Sequence, residues 1–279
     1  MTAKAKVKEL EELFEKNNID VVDAEWIVCE VTGLSRTSLD KKQLTPKQEK
    51  QVDKIAQKRL KHVPIAHIFK KRNFYGFDLF VSPHVLIPRF ETEGLCELVA
   101  KELPSNVLGT LKGLDLGTGS GAISIVLSKL YGHDMTAVDI SKKALAVAKK
   151  NDKKFGTNIK FVRSNMTDKV LGERFDFVVS NPPYILTKDL STLDKEVIDH
   201  EPRLALDGGG DGLQFYRKII EDAPYVLVDD GYLFFEVGKG RANDVVRLMK
   251  KDFYKITVRN DLQNIERYVF GKLKERKQK

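Results

Sequence analysis

Cysteine and histidine are scarce in this sequence, and neither is spaced as in a metal site. Of the 279 residues only Cys29 and Cys96 are cysteines, too few for a disulfide scaffold. The five histidines are scattered along the chain: His62, His67, His84, His133 and His200. We therefore expect no metal, and the shortage of cysteine fits a protein of the reducing cytoplasm.

Long apolar runs are also absent. No stretch approaches the length of a transmembrane helix, so we expect no membrane partner. Residues 1–10 lack the apolar core of a signal peptide. They also lack arginine and soon turn acidic, which argues against a mitochondrial presequence. We find no internal repeat and no low-complexity block, and we expect a cytoplasmic protein.

The composition is that of a globular protein, with 42% hydrophobic and 32% charged residues in a chain long enough for one large and one small domain. Lysine and arginine total 48 against 40 acidic residues, a formal net charge of +8. This excess permits a nucleic-acid partner but does not require one. Part of it lies in residues 272–279, which we expect to be a frayed, solubilising end rather than an RNA contact.

Residues 1–64 are predicted to form a small helical domain. Apolar residues recur at helical spacing in residues 7–14 and again in residues 24–31. A third helix is marked by Thr45 as the N-cap and Pro46 at the first helical position. Such a bundle either only supports folding or docks a substrate, and its own residues do not decide between these functions.

Residues 65–93 are rich in aromatic and β-branched residues interrupted by turn residues, which predicts a β-hairpin linker. The linker ends in the sequence IPRFETE at residues 87–93. Arg89 is a candidate organiser of a nearby cleft. Residues 91–93 also fit the capped, acidic first turn of the next helix.

A glycine-rich loop follows the first strand of an alternating strand and helix pattern. Gly117, Gly119 and Gly121 alternate with other residues, and Asp115 stands just before them. Alternating glycines let a ligand approach the backbone and leave amides at the start of a helix, which indicates a nucleotide site. The spacing differs from the G-x-G-x-x-G fingerprint of dinucleotide-binding proteins.

The next two predicted strands also end in polar candidates. Asp139 ends the second strand, where an acid grips a ribose diol in Rossmann-like sites, although a strand-terminal aspartate is also a common helix cap. Asn165 and Met166 follow the third strand, over residues 159–162. We expect Asn165 to hydrogen-bond the exocyclic amine of a base and Met166 to lie on the face of that base.

The sequence NPPY follows a predicted buried strand over residues 175–180. Two prolines cannot continue a sheet, so Asn181 is left at the carboxyl end of the strand, where α/β sheets bind ligands. The Asn181 amide oxygen and the Pro182 carbonyl are two acceptors beside the Tyr184 ring. Two acceptors and a flat wall suit a planar NH2 group.

These features together resemble a class I methyltransferase that uses S-adenosylmethionine to methylate an amino or amide nitrogen. Further strands are predicted over residues 232–237, 256–258 and 267–270. The fold class is therefore α/β, with a Rossmann-like sheet over residues 94–279. The resemblance implies seven strands, the last antiparallel. Within the fifth strand we interpret Glu236 as a structural hydrogen-bonding group.

A closer resemblance covers nearly the whole chain. IPRFETE, the glycine loop, NPPY, EPRLALDGG with DGL over residues 201–213, and FEVG at residues 235–238 stand in the order typical of the PrmC/HemK family of peptide-chain release factor glutamine methyltransferases. The departures are small. Phe90 replaces a second proline, Ala66-His67 replaces a more usual Gln-Tyr, and Asn165 replaces the common aspartate.

The resemblance implies methylation of the glutamine side-chain nitrogen (N5) in the Gly-Gly-Gln motif of bacterial class 1 release factors, which modulates translation termination. It assigns the methyl donor, S-adenosylmethionine, to ten residues: Asp115, Gly117, Thr118, Gly119, Gly121, Asp139, Ile140, Asn165, Met166 and Asn181. The substrate contacts it implies are Asn181, Pro182, Pro183, Tyr184, Arg89 and Glu201, with Asn181, Pro182 and Tyr184 catalytic. The family likeness also favours a substrate-docking role for residues 1–64, a monomer, and no stable nucleic-acid partner.

Two alternatives fit the same residues. The N6 nitrogen of adenine and the N4 nitrogen of cytosine also carry NH2 groups, so a nucleic-acid methyltransferase is the nearest competitor; it requires base flipping or single strands. A non-catalytic nucleotide-binding scaffold is the second, and failure to bind S-adenosylmethionine would favour it. In the family that the sequence resembles, the helical N-terminus and residues 88–93 look like protein-docking features, which favours a protein substrate.

Overall fold

The computed structural model describes residues 1–103 and 110–278 and divides into two compact units. The first unit comprises Met1–Lys70 and Asp194–His200, and the second comprises Lys71–Leu193 and Glu201–Lys279. The chain therefore leaves the second unit after NPPY, contributes one short helix to the first, and returns. The predicted division at residues 64 and 93 stays a prediction.

The helices of the described residues are α1 (Ala3–Glu15), α2 (Val22–Thr32), α3 (Pro46–Arg59), α4 (Ile65–Phe69), α5 (Phe90–Glu102), α6 (Ala122–Tyr131), α7 (Lys142–Phe155), α8 (Lys195–His200), α9 (Gln214–Val226) and α10 (Ala242–Met249). The strands are β1 (Lys71–Phe74), β2 (Phe77–Phe80), β3 (Lys112–Leu116), β4 (Asp134–Asp139), β5 (Lys160–Arg163), β6 (Phe175–Ser180), β7 (Leu227–Glu236), β8 (Phe253–Asn260) and β9 (Glu266–Leu273). Each helix in this part of the chain is too short or too polar to cross a membrane.

The first unit is the predicted helical bundle. Leu10 and Phe14 of α1 pack with Ile27 of α2 and Val52 of α3 in its core, all almost fully buried. The start of α3 has the predicted capping box: the Thr45 hydroxyl accepts a hydrogen bond from the backbone N–H three residues on, and the side chain there reaches back.

A buried arginine ties helix α8 into this bundle. Arg59 is only 2% exposed and donates to Asp23 at 2.8 Å and to Glu196 of α8 at 3.0 Å. Its third partner is the Val63 carbonyl oxygen, at 2.6 Å. A buried guanidinium needs several acceptors to offset its desolvation, and this one has them.

The second unit begins with the predicted hairpin. Strands β1 and β2 pair antiparallel, and Phe74 faces Phe77 across a two-residue turn. Tyr75 and Gly76 both have positive φ, 50° and 82°, as a type I′ turn requires.

The large sheet has the order β5-β4-β3-β6-β7-β9-β8, with β9 antiparallel to both neighbours. This confirms the predicted seven strands and antiparallel last strand. The strand order reverses between β3 and β6, since the chain runs outward from β3 through β5 and returns beside β3. In open α/β sheets ligands bind at such a switch point, outside the carboxyl ends of the strands. Here those ends carry the glycine loop and NPPY.

The C-terminal end is held against the sheet domain, so the prediction of a frayed tail is wrong for residues 272–277. Residue 272 lies within β9, and the Lys274 N–H donates to the Asp252 carbonyl oxygen at 2.9 Å. The Lys277 N–H donates to the Pro224 carbonyl oxygen at 2.8 Å, and its side chain pairs with the Asp252 carboxylate. Residue 279 lies outside the described residues.

Candidate active site

The glycine loop that follows β3 needs its glycines for their backbone conformation. Gly117, Gly119 and Gly121 all have positive φ, 77°, 56° and 84°, a region that other residues adopt only at a cost. The N–H groups of Gly117 and Thr118 donate to the Val138 carbonyl oxygen, both at 2.9 Å, which anchors the loop to β4. A side chain at Gly117 would meet no atom within 4 Å, so that face is open to a ligand.

Asp115 lies beneath the loop, only 1% exposed. Its Oδ2 accepts hydrogen bonds from Thr118 at 2.6 Å and Ser124 at 2.7 Å, while its buried Oδ1 has no partner among the described residues. Burial raises the pKa of this carboxyl to about 6, against the opposing effect of the Thr118 and Ser124 hydroxyls. Asp115 therefore carries an unused acceptor directly under the glycine loop.

Asp139 connects this loop to the start of the next helix. Its Oδ2 accepts from the Gly119 N–H at 3.0 Å, and its Oδ1 accepts from the Ser141 N–H at 2.8 Å. Burial raises the pKa of Asp139, and these two backbone bonds oppose the rise. The carboxylate thus holds two backbone segments in place, and its predicted grip on a ribose stays a prediction.

A cavity of about 260 Å³ opens at the switch point, within the second unit. Eight of the predicted site residues line it: Gly117, Gly119, Asp139, Ile140, Asn165, Met166, Asn181 and Pro183. The other predicted site residues do not: Asp115, Thr118, Gly121, Pro182, Tyr184, Arg89 and Glu201. Donor-side residues and two residues of NPPY therefore meet at one cavity.

The cavity wall includes residues that the sequence interpretation missed: His84, Val85, Leu86, Pro202, Leu204, Ala205, Gln214 and Phe215. They come from loops and a helix start far apart in sequence, and most are apolar, so no local pattern distinguishes them. The one available signal was the 201–209 motif, from which Pro202, Leu204 and Ala205 come.

Arg89 and Glu201 form an ion pair that joins two of these wall segments. The guanidinium lies 2.5 Å from Glu201 Oε1, and Glu201 Oε2 accepts from the Ile87 N–H at 3.0 Å. The Glu201 side chain is only 1% exposed, whereas Arg89 is 36% exposed. A buried carboxylate needs partners to offset its desolvation, and these two contacts connect the wall segments. The predicted substrate contacts of both residues stay a prediction.

Glycines of the later motifs enclose Tyr184. A methyl group on Gly208 would lie 2.6 Å from the Tyr184 Cα, and one on Gly212 would lie 2.5 Å from its carbonyl oxygen. On the ring side, a methyl group on Gly238 would lie 2.9 Å from Tyr184 Cδ2. Atoms that close clash, so the DGG, DGL and FEVG motifs supply the room in which this tyrosine sits.

The Asn181 side chain is held by two buried residues from other elements. Its Nδ2 donates to the Thr92 hydroxyl at 3.1 Å, and that hydroxyl donates to Glu236 Oε2 at 2.7 Å. Thr92 belongs to the first turn of α5, and Glu236 ends β7. Burial raises the pKa of Glu236 to about 7; the Thr92 hydrogen bond opposes the rise. The interpretation of Glu236 as a hydrogen-bonding group is confirmed.

The Pro182 carbonyl lies next to this amide in the chain. Within the described residues no group donates a hydrogen bond to its oxygen, and the next residue, Pro183, has no N–H that could compete for this acceptor. Just before them, the Ser180 hydroxyl donates to the Leu116 carbonyl oxygen at 2.7 Å, which fixes the end of β6 against β3. Asn181 and Pro182 thus offer two neighbouring acceptors on a rigid support.

An acid-led glycine loop and NPPY at the switch point of this seven-stranded sheet define a methyltransferase of the class I fold. The family model of the methyltransferase small domain matches residues 94–211. A crystal structure of a methyltransferase from Pyrococcus furiosus has the same fold, with a TM-score of 0.52 at 16% identity, covering 77% of this chain and 96% of that one.

Curated relatives specify the family. A release factor glutamine methyltransferase of Geobacter sulfurreducens is 35% identical over 257 residues, which cover 90% of this chain and 89% of the relative. One of Agrobacterium fabrum is 40% identical over 81% of this chain and 80% of its own length. The PrmC N-terminal domain matches residues 7–69. The chain belongs to the release factor glutamine methyltransferase family.

Proposed function

We propose that this methyltransferase transfers the methyl group of S-adenosylmethionine to the side-chain amide nitrogen of the glutamine in the Gly-Gly-Gln motif of class 1 release factors, and so modulates translation termination. The names of its curated relatives support this substrate. The observation that carries the proposal is the position of Asn181, which lines the same cavity as the glycine loop and stands beside the unused Pro182 acceptor.

The donor side of the cavity fits such a ligand. The open face at Gly117 and the Asp139 carboxylate line the cavity and favour a cationic ligand with hydrogen-bond donors. The buried Asp115 Oδ1, which has no partner among the described residues, lies under the same loop. S-adenosylmethionine, when bound, supplies an electrophilic methyl group on a sulfonium. Asn165 and Met166 line the cavity as well, which supports their proposed role at the base.

On the substrate side, the site must align the glutamine amide with the methyl group. An amide nitrogen is a poor nucleophile because its lone pair is delocalised into the carbonyl, so alignment is most of the task. In the proposed complex, Asn181 Oδ1 and the Pro182 carbonyl oxygen each accept one N–H of the glutamine. This leaves the out-of-plane density of the nitrogen facing the methyl group, and both acceptors stabilise the positive charge that develops on it.

No group of NPPY acts as a general base for the proton that the glutamine nitrogen loses. An amide oxygen and a peptide carbonyl are too weakly basic to take it, so we propose that it passes to water late in the transfer or after it. We propose that Tyr184, which packs beside Asn181 and Pro182 in the chain, contacts the bound glutamine as a neutral phenol, since burial raises the pKa of its hydroxyl. Pro183, Arg89 and Glu201 complete the proposed substrate contacts.

The helical first unit, which includes residues 1–64 and matches the PrmC N-terminal domain over residues 7–69, is the proposed docking module for the release factor. We propose a cytoplasmic monomer with no stable nucleic-acid partner. The substrate is then held at two places, one on the docking module and one at NPPY. Two-point binding of a tethered loop raises its effective concentration at the second site.

The test is a transfer assay with labelled S-adenosylmethionine and four acceptors: unmodified release factor, the same factor with the Gly-Gly-Gln glutamine replaced by alanine, single-stranded DNA and RNA. We expect label only on the unmodified release factor. Label on DNA or RNA, with none on the release factor, would instead identify a nucleic-acid methyltransferase. No label on any acceptor, with no donor binding, would favour a scaffold.

A further inference from the structure

A chain of two hydrogen bonds runs inward from Asn181 to a buried carboxylate. Asn181 donates to Thr92, and Thr92 donates to Glu236. Thr92 is 5% exposed and Glu236 is 2% exposed, so water contributes little to these contacts. The three residues come from different elements: the end of β6, the start of α5 and the end of β7.

The number of protons available to these three side chains fixes the donor and the acceptor in each hydrogen bond. A threonine hydroxyl has one proton, and an ionised carboxylate can only accept. The Thr92 proton therefore goes to Glu236, and only the lone pairs of Thr92 are left for Asn181. Asn181 must then present its NH2 group to Thr92, which leaves Oδ1 for the cavity.

We propose that Glu236, acting through Thr92, is a positioning residue that holds the Asn181 amide in the orientation that accepts a hydrogen bond from the substrate. This inference rests on the proposed function, because the orientation matters only if the substrate offers an N–H donor. A flipped Asn181 would point its own NH2 group at the glutamine nitrogen, and two donors repel. Glu236 thus determines which end of the Asn181 amide faces the substrate, although Glu236 itself does not contact the substrate.

Protonation of Glu236 reverses the direction of both hydrogen bonds. A neutral carboxyl can donate to the Thr92 oxygen, which frees the Thr92 proton for Asn181 and favours the flipped amide. Burial raises the pKa of Glu236 to about 7, so this change falls near neutral pH. The transfer rate should therefore increase as the pH rises through about 7.

The titratable and charged groups that face Glu236 come from three elements and one loop. They are Glu91 and Cys96 of α5, Tyr184 after β6, Tyr216 of α9, and Arg267 and Tyr268 of β9. Burial raises the pKa of the cysteine and of the three tyrosines, so these remain neutral. Arg267 favours the ionised form of Glu236, and Glu91 opposes it.

The test measures the single-turnover rate of methyl transfer to release factor, at saturating donor and substrate, from pH 6 to pH 9. We expect the wild-type rate to rise with an apparent pKa near 7. Thr92→Val keeps the shape but removes the hydroxyl. It should lower the rate at pH 8 about tenfold and abolish the pH step. Thr92→Ser should restore most of the rate and the step.

Two further variants separate positioning from folding. Glu236→Gln removes the titrating group and should flatten the profile, with donor affinity from calorimetry within about twofold of wild type. Thr157→Val is the matched control, because Thr157 also donates to a carboxylate, that of Asp152 at 2.6 Å, but not near Asn181. It should keep the wild-type rate and pH step.

A wild-type profile that is flat between pH 6 and pH 8 would overturn the inference, and so would a step that survives in Glu236→Gln. If Thr92→Val does not fold, these two measurements still decide. The proposed function fails separately, when wild-type enzyme transfers no methyl group to release factor at any pH.

Discussion

At the scale of single residues, the site depends on neutral acceptors held in fixed positions. Asn181 and Pro182 carry no charge, and neither can be a strong base. Their contribution is direction: the end of β6 is pinned by Ser180, and the amide is pinned by Thr92. An acceptor that needs no reorientation stabilises developing charge more effectively than a mobile one.

Asn181→Ala should abolish most of the transfer and leave donor binding intact. The substitution removes one acceptor at the reacting nitrogen, so we expect the single-turnover rate to fall roughly 10²-fold to 10³-fold. Calorimetry should give a donor dissociation constant within about threefold of wild type, because the glycine loop and Asp139 are unchanged. Equal losses in rate and donor binding would mean that Asn181 belongs to the donor site.

At the scale of elements, the position of NPPY depends on segments that follow it by more than twenty residues. The backbone of Ile185 exchanges hydrogen bonds with Leu206 and Gly208, and the Tyr184 ring lies against Gly238. The glycines of these motifs are therefore needed because a side chain there would collide with Tyr184, and not because the backbone must be flexible. Each leaves room for one part of the same tyrosine.

Gly238→Ala should displace the Tyr184 ring, because its methyl group would lie 2.9 Å from Cδ2. A shift of about 1 Å at a reacting site can reduce the rate about 10²-fold, and overpacking should lower the free energy of unfolding by about 1–3 kcal/mol. Transfer kinetics and chemical denaturation measure these effects.

Gly210→Ala is the matched control for that substitution. Gly210 is exposed, its φ is not in the positive region, and a methyl group there meets no atom within 4 Å. We expect wild-type rate and stability. If both alanine variants behave alike, the clearance at Gly238 does not matter for transfer.

Sequence patterns predicted the elements well because their causes are local. The capping box at Thr45, the glycine loop and the proline stop after β6 all depend on residues within a few positions of each other. Contacts between distant segments left no such signal. Thr92 and Glu236 are 144 residues apart, and Thr92 alone reads equally well as part of an acidic first turn. Eight of the predicted site residues do line one cavity, but the contact of Thr92 with Asn181 was not predicted.

At the scale of the whole molecule, the two units share the chain in an interleaved way. Helix α8 belongs to the helical unit although it lies between two segments of the methyltransferase unit. Its anchor, the ion pair of Arg59 with Glu196, spans 137 residues, so hydropathy along the chain could not predict it. The same long-range pairing explains the tail, in which Lys274 and Lys277 find partners elsewhere in the chain.

The stability of the molecule should fall as the pH rises from about 5 to 8. An unfolded glutamate has an ordinary pKa of 4.5, whereas burial raises that of Glu236 to about 7. Between these values the folded state holds a proton that the unfolded state has lost, so the free energy of unfolding decreases with pH. Glu236 alone should contribute a loss of roughly 2 kcal/mol between pH 5.5 and pH 8.

Chemical denaturation of wild type and Glu236→Gln at both pH values measures this contribution. The variant should lose less stability over the interval, by about the same 2 kcal/mol. Glu266→Gln, at an exposed position of β9, makes the same change of formal charge and should follow wild type. Parallel profiles for Glu236→Gln and wild type would show that Glu236 keeps an ordinary pKa in the folded protein.

The most direct test of the central claim is fragmentation mass spectrometry of unmodified release factor after incubation with this enzyme and S-adenosylmethionine. We predict that the peptide containing Gly-Gly-Gln gains one methyl group, carried by the side-chain nitrogen of the glutamine. An unchanged glutamine, or a methyl group on any other residue, would contradict the assignment of NPPY as a clamp for a glutamine amide.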